Sequence, residues 1–242
     1  VKWQIVLLVA LGVALGGGPA EAVVPGARTI VRKYAEVQAL EHVAPSQLTG
    51  QARLPGRPED LALTMDIAAK TCRAQVQTPQ GTTLVSLGSG KITIAGPPLP
   101  ALEAFAALAC PFFWFRNVPA ADASSTMLRM ASSMGVDLNV TSLSRTAGRV
   151  GYVIGAAPRD LRSPQIWFDQ ATGRPLRVIA FHAGLLWDIR FSDAESIATN
   201  RLAPRVVDIW AGRERQLEMH LVAATPKITG DEEPAEVEED AE

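Results

Sequence analysis

The sequence predicts a mainly β, α+β fold: a curled antiparallel sheet of about 11–12 strands with helices over one face. Three observations predict it. From Gln47 onward, apolar residues recur with a period of two in short runs. Turn-formers such as Pro55-Gly56, Pro79-Gln80-Gly81 and Gly88-Ser89-Gly90 separate these runs. Helical spacing is confined to the stretch before Pro45 and to residues 99–135. Within the runs, apolar side chains alternate with polar ones, as in a sheet with one dry and one wet face.

The chain opens with Lys2, an apolar charge-free run over residues 5–15, a Gly16-Gly17-Gly18-Pro19 break and Ala20-Glu21-Ala22. This order fits a signal peptide cleaved after Ala22, and the run is too short for the roughly 20 apolar residues that span a bilayer. No Cys follows it to accept a lipid. The expectation is an exported, periplasmic protein with one domain over residues 23–228.

Residues 28–43 predict an amphipathic helix, with Ile30, Val31, Tyr34, Val37 and Leu40 on one side. Strands are expected over 47–54, 61–67, 72–78, 82–87 and 91–95. Residues 99–110 read as a helix, with Pro100 in its first turn and Pro111 ending or kinking it. A second helix is expected over 122–134, stopped by Gly135. Val136, Leu138 and Val140 alternate with Asp137, Asn139 and Thr141 and predict that strands resume there. Further strands are expected around 150–155, 166–168, 175–182, 185–191, 205–211 and 217–221. The result is one meander split by a helical insertion at about 99–135.

Composition is that of a soluble globular chain, with 48% hydrophobic residues and net charge −2. The charge is uneven. Residues 231–242 carry eight acidic and no basic residues, while residues 23–230 hold 22 basic and 16 acidic ones. The acidic end, from 229, has too little apolar surface to fold and is expected to be disordered. Cys72 and Cys110 would lie in an oxidising compartment; pairing and two buried thiols both remain open.

No catalytic constellation emerges. Gly88-Ser89-Gly90-Lys91 lacks the upstream Gly and the Ser or Thr of a phosphate loop. His42, His182 and His220 are scattered, and Asp169, Asp188, Asp193 and Asp208 fall in turns or on outward strand faces. No enzyme activity, cofactor, metal or nucleic-acid partner is expected. The strongest functional signal is the charge-free stretch 104–115, with Phe112-Phe113-Trp114-Phe115 at its end. Two readings stand: a hairpin that fills the core, and a lid over an apolar cavity. For the lid, Leu102, Phe105, Leu108, Phe112, Phe113, Met127 and Met130 are the candidate lining, since aromatic rings and thioethers adapt to acyl chains.

The pattern resembles the LolA/LolB-like lipoprotein-carrier superfamily. The resemblance is carried by a helix after a signal peptide, a long meander and a helical insertion. Its most specific local match is Ile166-Trp167-Phe168-Asp169-Gln170-Ala171-Thr172-Gly173-Arg174-Pro175-Leu176-Arg177, a strand, a D-x-x-T-G turn and a strand. Trp187-Asp188-Ile189-Arg190-Phe191-Ser192-Asp193, Leu202-Ala203-Pro204 and residues 148–155 are also similar. The resemblance implies an unclosed β-barrel with a helical lid and an apolar interior. It also implies acylated lipoproteins or lipids as ligands, with an inner-membrane donor and an outer-membrane acceptor as partners. Arg73 is closest to a family arginine that helps gate the lid. The two cysteines depart from the simplest members, and a bridge between them would tie an early strand to the insertion. The alternative within this resemblance is an envelope regulatory module that senses lipid or lipoprotein and binds a signalling partner. An unrelated envelope enzyme is a third class, which a cleft of convergent titratable groups would mark.

Overall fold

A computed structural model describes residues 24–40, 46–68, 71–88, 90–113, 120–192 and 204–226. The expected signal segment, the acidic tail, His42, Asp193 and the Trp114-Phe115 pair lie outside the described residues.

After helix α1 (Ala27–Leu40) come strands β1 (Ser46–Arg53), β2 (Leu61–Ala68), β3 (Thr71–Thr78), β4 (Gly81–Gly88) and β5 (Lys91–Ala95). The insertion follows as α2 (Pro100–Leu108), a 3-10 turn (Cys110–Phe113) and α3 (Ala120–Ser133). Strands β6 (Thr141–Thr146), β7 (Arg149–Ile154), β8 (Gln165–Asp169), β9 (Pro175–His182), β10 (Leu185–Ser192), β11 (Val206–Ala211) and β12 (Glu214–Pro226) complete the chain.

All 12 strands form one antiparallel sheet in the order β5-β4-β3-β2-β1-β12-β11-β10-β9-β8-β7-β6. Two meanders are therefore joined through the first and last strands, which pair at the centre. Strands β5 and β6 are the two edges and do not pair with each other, so the curled sheet is an unclosed barrel. The insertion connects these two edges, so the chain must cross the open side to get from one to the other. β12 carries a bulge opposite Thr49 and Gly50 of β1, with Val222 as its extra residue. Glycine is required at position 50, because a Cβ would stand 2.0 Å from the carbonyl oxygen of His220.

One apolar cluster joins Ile30, Val31 and Tyr34 of α1, the insertion and the inner face of the sheet. The expected alternation is plain in β2 and β3, whose successive side chains are turned toward the core and away from it. Strands β8 and β9 differ, with side chains buried on both faces. A smaller cluster of Val153, Ala156, Trp167 and Leu176 is separate from the main core.

One expected strand is corrected. Residues 136–140 form no strand, although Val136, Leu138 and Val140 alternate. The Asp137 carboxylate accepts from the Asn139 backbone N–H (2.9 Å) and side-chain amide (3.1 Å), and Val140 N–H donates to the Asp137 carbonyl (3.2 Å). This local hydrogen bonding turns the chain before a ladder can form. The edge strand starts at Thr141 instead. Pro111 does end α2, but it sits inside the 3-10 turn that follows.

Candidate functional site

Pro100 and the Ala- and Leu-rich run after it make α2 a strong helix former with almost no polar surface. The helix lies across the inner face, packing on β3, β4 and β5 from one half of the sheet and on β9, β11 and β12 from the other. Helices α1 and α3 pack together beside it. Helix α2 thus bridges the two halves of the sheet on its inner face.

Five of the seven candidate lining residues are buried in the main core: Leu102, Phe105, Leu108, Phe112 and Met127. Met130 is partly buried against it, and the Phe113 side chain lies outside the described residues. Three depressions among the described residues, of about 400, 650 and 650 Å³, are lined by other residues. The buried side chains of the insertion lie in the main core, in one cluster with the inner face of the sheet.

Three attachments hold the cover in place. The Cys72 and Cys110 sulfurs are bonded, with Cα atoms 6.0 Å apart, joining β3 to the turn after α2. The Tyr34 hydroxyl donates to the Phe112 carbonyl, and the Tyr34, Phe112 and Phe168 rings cluster with centroids 4.9–6.5 Å apart. His182 Nε2 lies 3.1 Å from the Glu103 carboxylate, linking β9 to α2, and the indole N–H of Trp187 donates to the His182 carbonyl. The Glu103–His182 contact joins a polar side chain of the insertion to one on the helix side of the sheet.

The structure places Arg73 elsewhere. Along β3 it alternates with the buried Cys72 and Ala74, so it projects from the outer, exposed face, away from α2. There it lines the 400 Å³ depression with Asp66, Ser86, Lys91 and Thr93. Contact with the cover comes instead from Glu103 and His182, a pair that strand periodicity cannot find because its members are 79 residues apart. Tyr34 was legible as a core residue of α1, but its hydroxyl partner was not.

The D-x-x-T-G turn has a structural role. The Asp169 carboxylate accepts from the Thr172 backbone N–H (2.7 Å) and hydroxyl (2.9 Å) and pairs with Arg149 at 2.8 Å. Burial disfavours its charge, but the Thr172 hydrogen bonds and the Arg149 guanidinium outweigh this and hold the carboxyl below its ordinary value. Gly173 takes a positive φ of 70°, and Lys33 of α1 donates to the Gln170 carbonyl at 2.7 Å. The turn thus fixes the β8–β9 hairpin and anchors α1.

On the outer face, Arg177 makes a bidentate pair with Asp188 (2.6 and 2.6 Å), which also accepts from Arg190 (2.7 and 3.0 Å). The two guanidinium groups stand over the Trp167 and Trp210 rings at 5.2 and 4.7 Å. Asp188 is therefore a structural tie. Among the described residues no group of three or more His, Cys, Asp or Glu side chains is placed to hold a metal ion. No helix among them is long and apolar enough to cross a membrane.

No family model and no curated protein matches this sequence. Among solved structures it is similar to the LolA superfamily protein NE2245 from Nitrosomonas europaea, at 9% identity and TM-score 0.48, over 84% of this chain and 94% of that one. It is also similar to an outer membrane lipoprotein-sorting protein domain from Vibrio parahaemolyticus, at 11% identity and TM-score 0.48, over 86% and 94%. A third is a DUF1329 family protein from Desulfovibrio piger ATCC 29098, at 9% identity and TM-score 0.43, over 85% and 93%. What the site of this chain can do therefore follows from its own residues.

Proposed function

We propose that this protein binds and carries acyl chains in the periplasm, holding them between the inner face of the sheet and the helical insertion. The supporting observation is the position of α2: an apolar helix laid across the open side of an unclosed barrel, touching both halves of the sheet. A helix in that place is what a hydrocarbon chain would have to displace. Leu102, Phe105, Leu108, Phe112, Phe113, Met127 and Met130 are then the residues proposed to meet the acyl chain. Hydrophobic contact is non-directional, so an acyl chain can replace one set of apolar contacts with another at about 0.8 kcal/mol per buried methylene.

In this reading the sequence of events is displacement of the cover, burial of the chain and handover to a protein with a better site. Acylated lipoproteins or lipids are the ligands, with a donor at the inner membrane and an acceptor at the outer. No group is required to do covalent chemistry. The test is titration with an environment-sensitive fatty-acid probe. Saturable fluorescence enhancement, displaced by unlabelled fatty acid, is expected. Lack of enhancement from both the wild type and the Glu103→Gln variant, whose cover is less firmly held, would overturn the reading.

A further inference from the structure

Five large apolar side chains stand exposed among the described residues, and three of them gather at one end of the sheet. Phe181 (55% exposed) and Leu185 (53%) flank the β9–β10 turn, and Leu161 (46%) lies in the β7–β8 loop. The sheet register sets all three at the same end of the sheet, with Phe181 and Leu185 on opposite faces of the β9–β10 hairpin. Gln165 pairs with Ile179, which brings the end of the β7–β8 loop beside Phe181. Trp187 pairs with Ala211, which sets the β11–β12 turn on the other side of the hairpin.

These tips are held in place. Ala183 and Gly184 both take positive φ (49° and 79°), the two-residue turn that suits a tight twisted hairpin. The Asp160 carboxylate accepts from the backbone N–H groups of Arg162 and Ser163 and from the Ser163 hydroxyl. The Gln165 side chain donates to the Asp160 carbonyl at 2.6 Å, which folds the loop back on the sheet. Exposed apolar side chains brought together on adjoining tips at one end of a sheet signal an interaction surface. Around it stand the exposed arginines Arg159, Arg162 and Arg213. The acidic groups on the same loops are Glu214 and Asp160, and the Asp160 carboxylate is occupied within its own loop.

We infer that this rim docks on an anionic lipid bilayer, with Phe181, Leu185 and Leu161 entering the interface and the three arginines meeting the headgroups. The tips project from turns rather than lining a groove, which suits a penetrable surface. The local charge also suits a negative one, since Arg159, Arg162 and Arg213 outnumber Asp160 and Glu214 on these loops. The inference goes beyond acyl carriage and does not require it. A protein that docked through this rim yet took up no fatty-acid probe would keep this inference and overturn the carrier reading.

The experiment is flotation of the full chain with vesicles of phosphatidylcholine and phosphatidylglycerol, and with vesicles of phosphatidylcholine alone. The wild type floats with the mixed vesicles and much less with the neutral ones. Phe181→Ser and Leu185→Ser each weaken binding by about tenfold, and Arg159→Gln and Arg213→Gln each by about fivefold. Val222→Ser, which removes an apolar side chain exposed elsewhere on the sheet, leaves binding unchanged. All of these positions are exposed, and an unchanged melting temperature checks that each variant folds. Failure of the wild type to float, or loss from Val222→Ser equal to that from Phe181→Ser, would overturn the inference.

Discussion

On their inner face, strands β8 to β11 present Ile166, Phe168, Val178, Ile189 and Val207 to the helices. On the outer face the same strands carry Trp167, Arg177, Asp188, Arg190 and Trp210, joined by bidentate ion pairs and stacked guanidinium groups. Contacts on the inner face depend on area and shape, so another apolar group of similar volume can take their place. The outer contacts depend on angle and charge and have no substitute once a partner is gone. In the proposed carrier reading, such a division would give a frame that keeps its curvature while the cover on its inner side exchanges one set of apolar contacts for another.

This comparison can be broken most severely at Asp188. Replacement by Ala leaves Arg177 buried without its counter-charge and is expected to lower stability by about 3–5 kcal/mol in urea denaturation. The affinity of the remaining folded protein for a fatty-acid probe should not change, because nothing on the inner face is touched. A large change in affinity would show that the two faces are not independent.

The covalent attachment comes next. The double replacement Cys72→Ser/Cys110→Ser opens a loop with a sequence separation of 38 and is expected to cost about 3–4 kcal/mol. It should also speed probe uptake in stopped flow, because the insertion loses its link to β3. Slower or unchanged uptake would mean that the link does not restrain the cover.

A smaller effect is expected at Asp169. Its lowered pKa means that its carboxylate stabilises the fold fully above the unfolded value, near 3.9, and that this contribution is lost as pH falls through the folded value. Asp169→Asn should lose about 1–2 kcal/mol at neutral pH and show a shallower decline of stability below about pH 4. Thermal melts across that range would check it, and an unchanged acid limb would show that the Thr172 and Arg149 contacts do not stabilise the charge.

Glu103→Gln is the mildest change. The pair with His182 is partly exposed, so stability should fall by less than about 1 kcal/mol, while the on-rate of the probe should rise. An unchanged on-rate would remove this pair from the set of attachments.

Much of this arrangement could be read from residue patterns. The alternation in β2 and β3 assigns their faces correctly, because each has one side against the core and one toward water. The insertion stands out through its lack of charge. Three things were hidden for identifiable reasons. The pairing of β1 with β12 joins residues at opposite ends of the chain, and local periodicity carries no information about such a register. The alternation of Val136, Leu138 and Val140 was overruled by side-chain hydrogen bonding at Asp137. Arg73 was placed correctly on a strand, but its role depended on which face it used, and the buried Cys72 beside it decides that in favour of the outside. The continuous burial of β8 shows the complementary case: Trp167 lies on the outer side yet is buried, because the Arg177 guanidinium stacks on it.

The most direct test uses a fatty acid carrying a photoactivatable group on its terminal methyl end, crosslinked to the full chain and mapped by mass spectrometry. The account predicts adducts on the insertion and the inner strands, at residues such as Leu102, Phe105, Met127 and Ile189, and their suppression by unlabelled fatty acid. Adducts confined to the outer face or to the exposed turns, or none that unlabelled fatty acid suppresses, would contradict it.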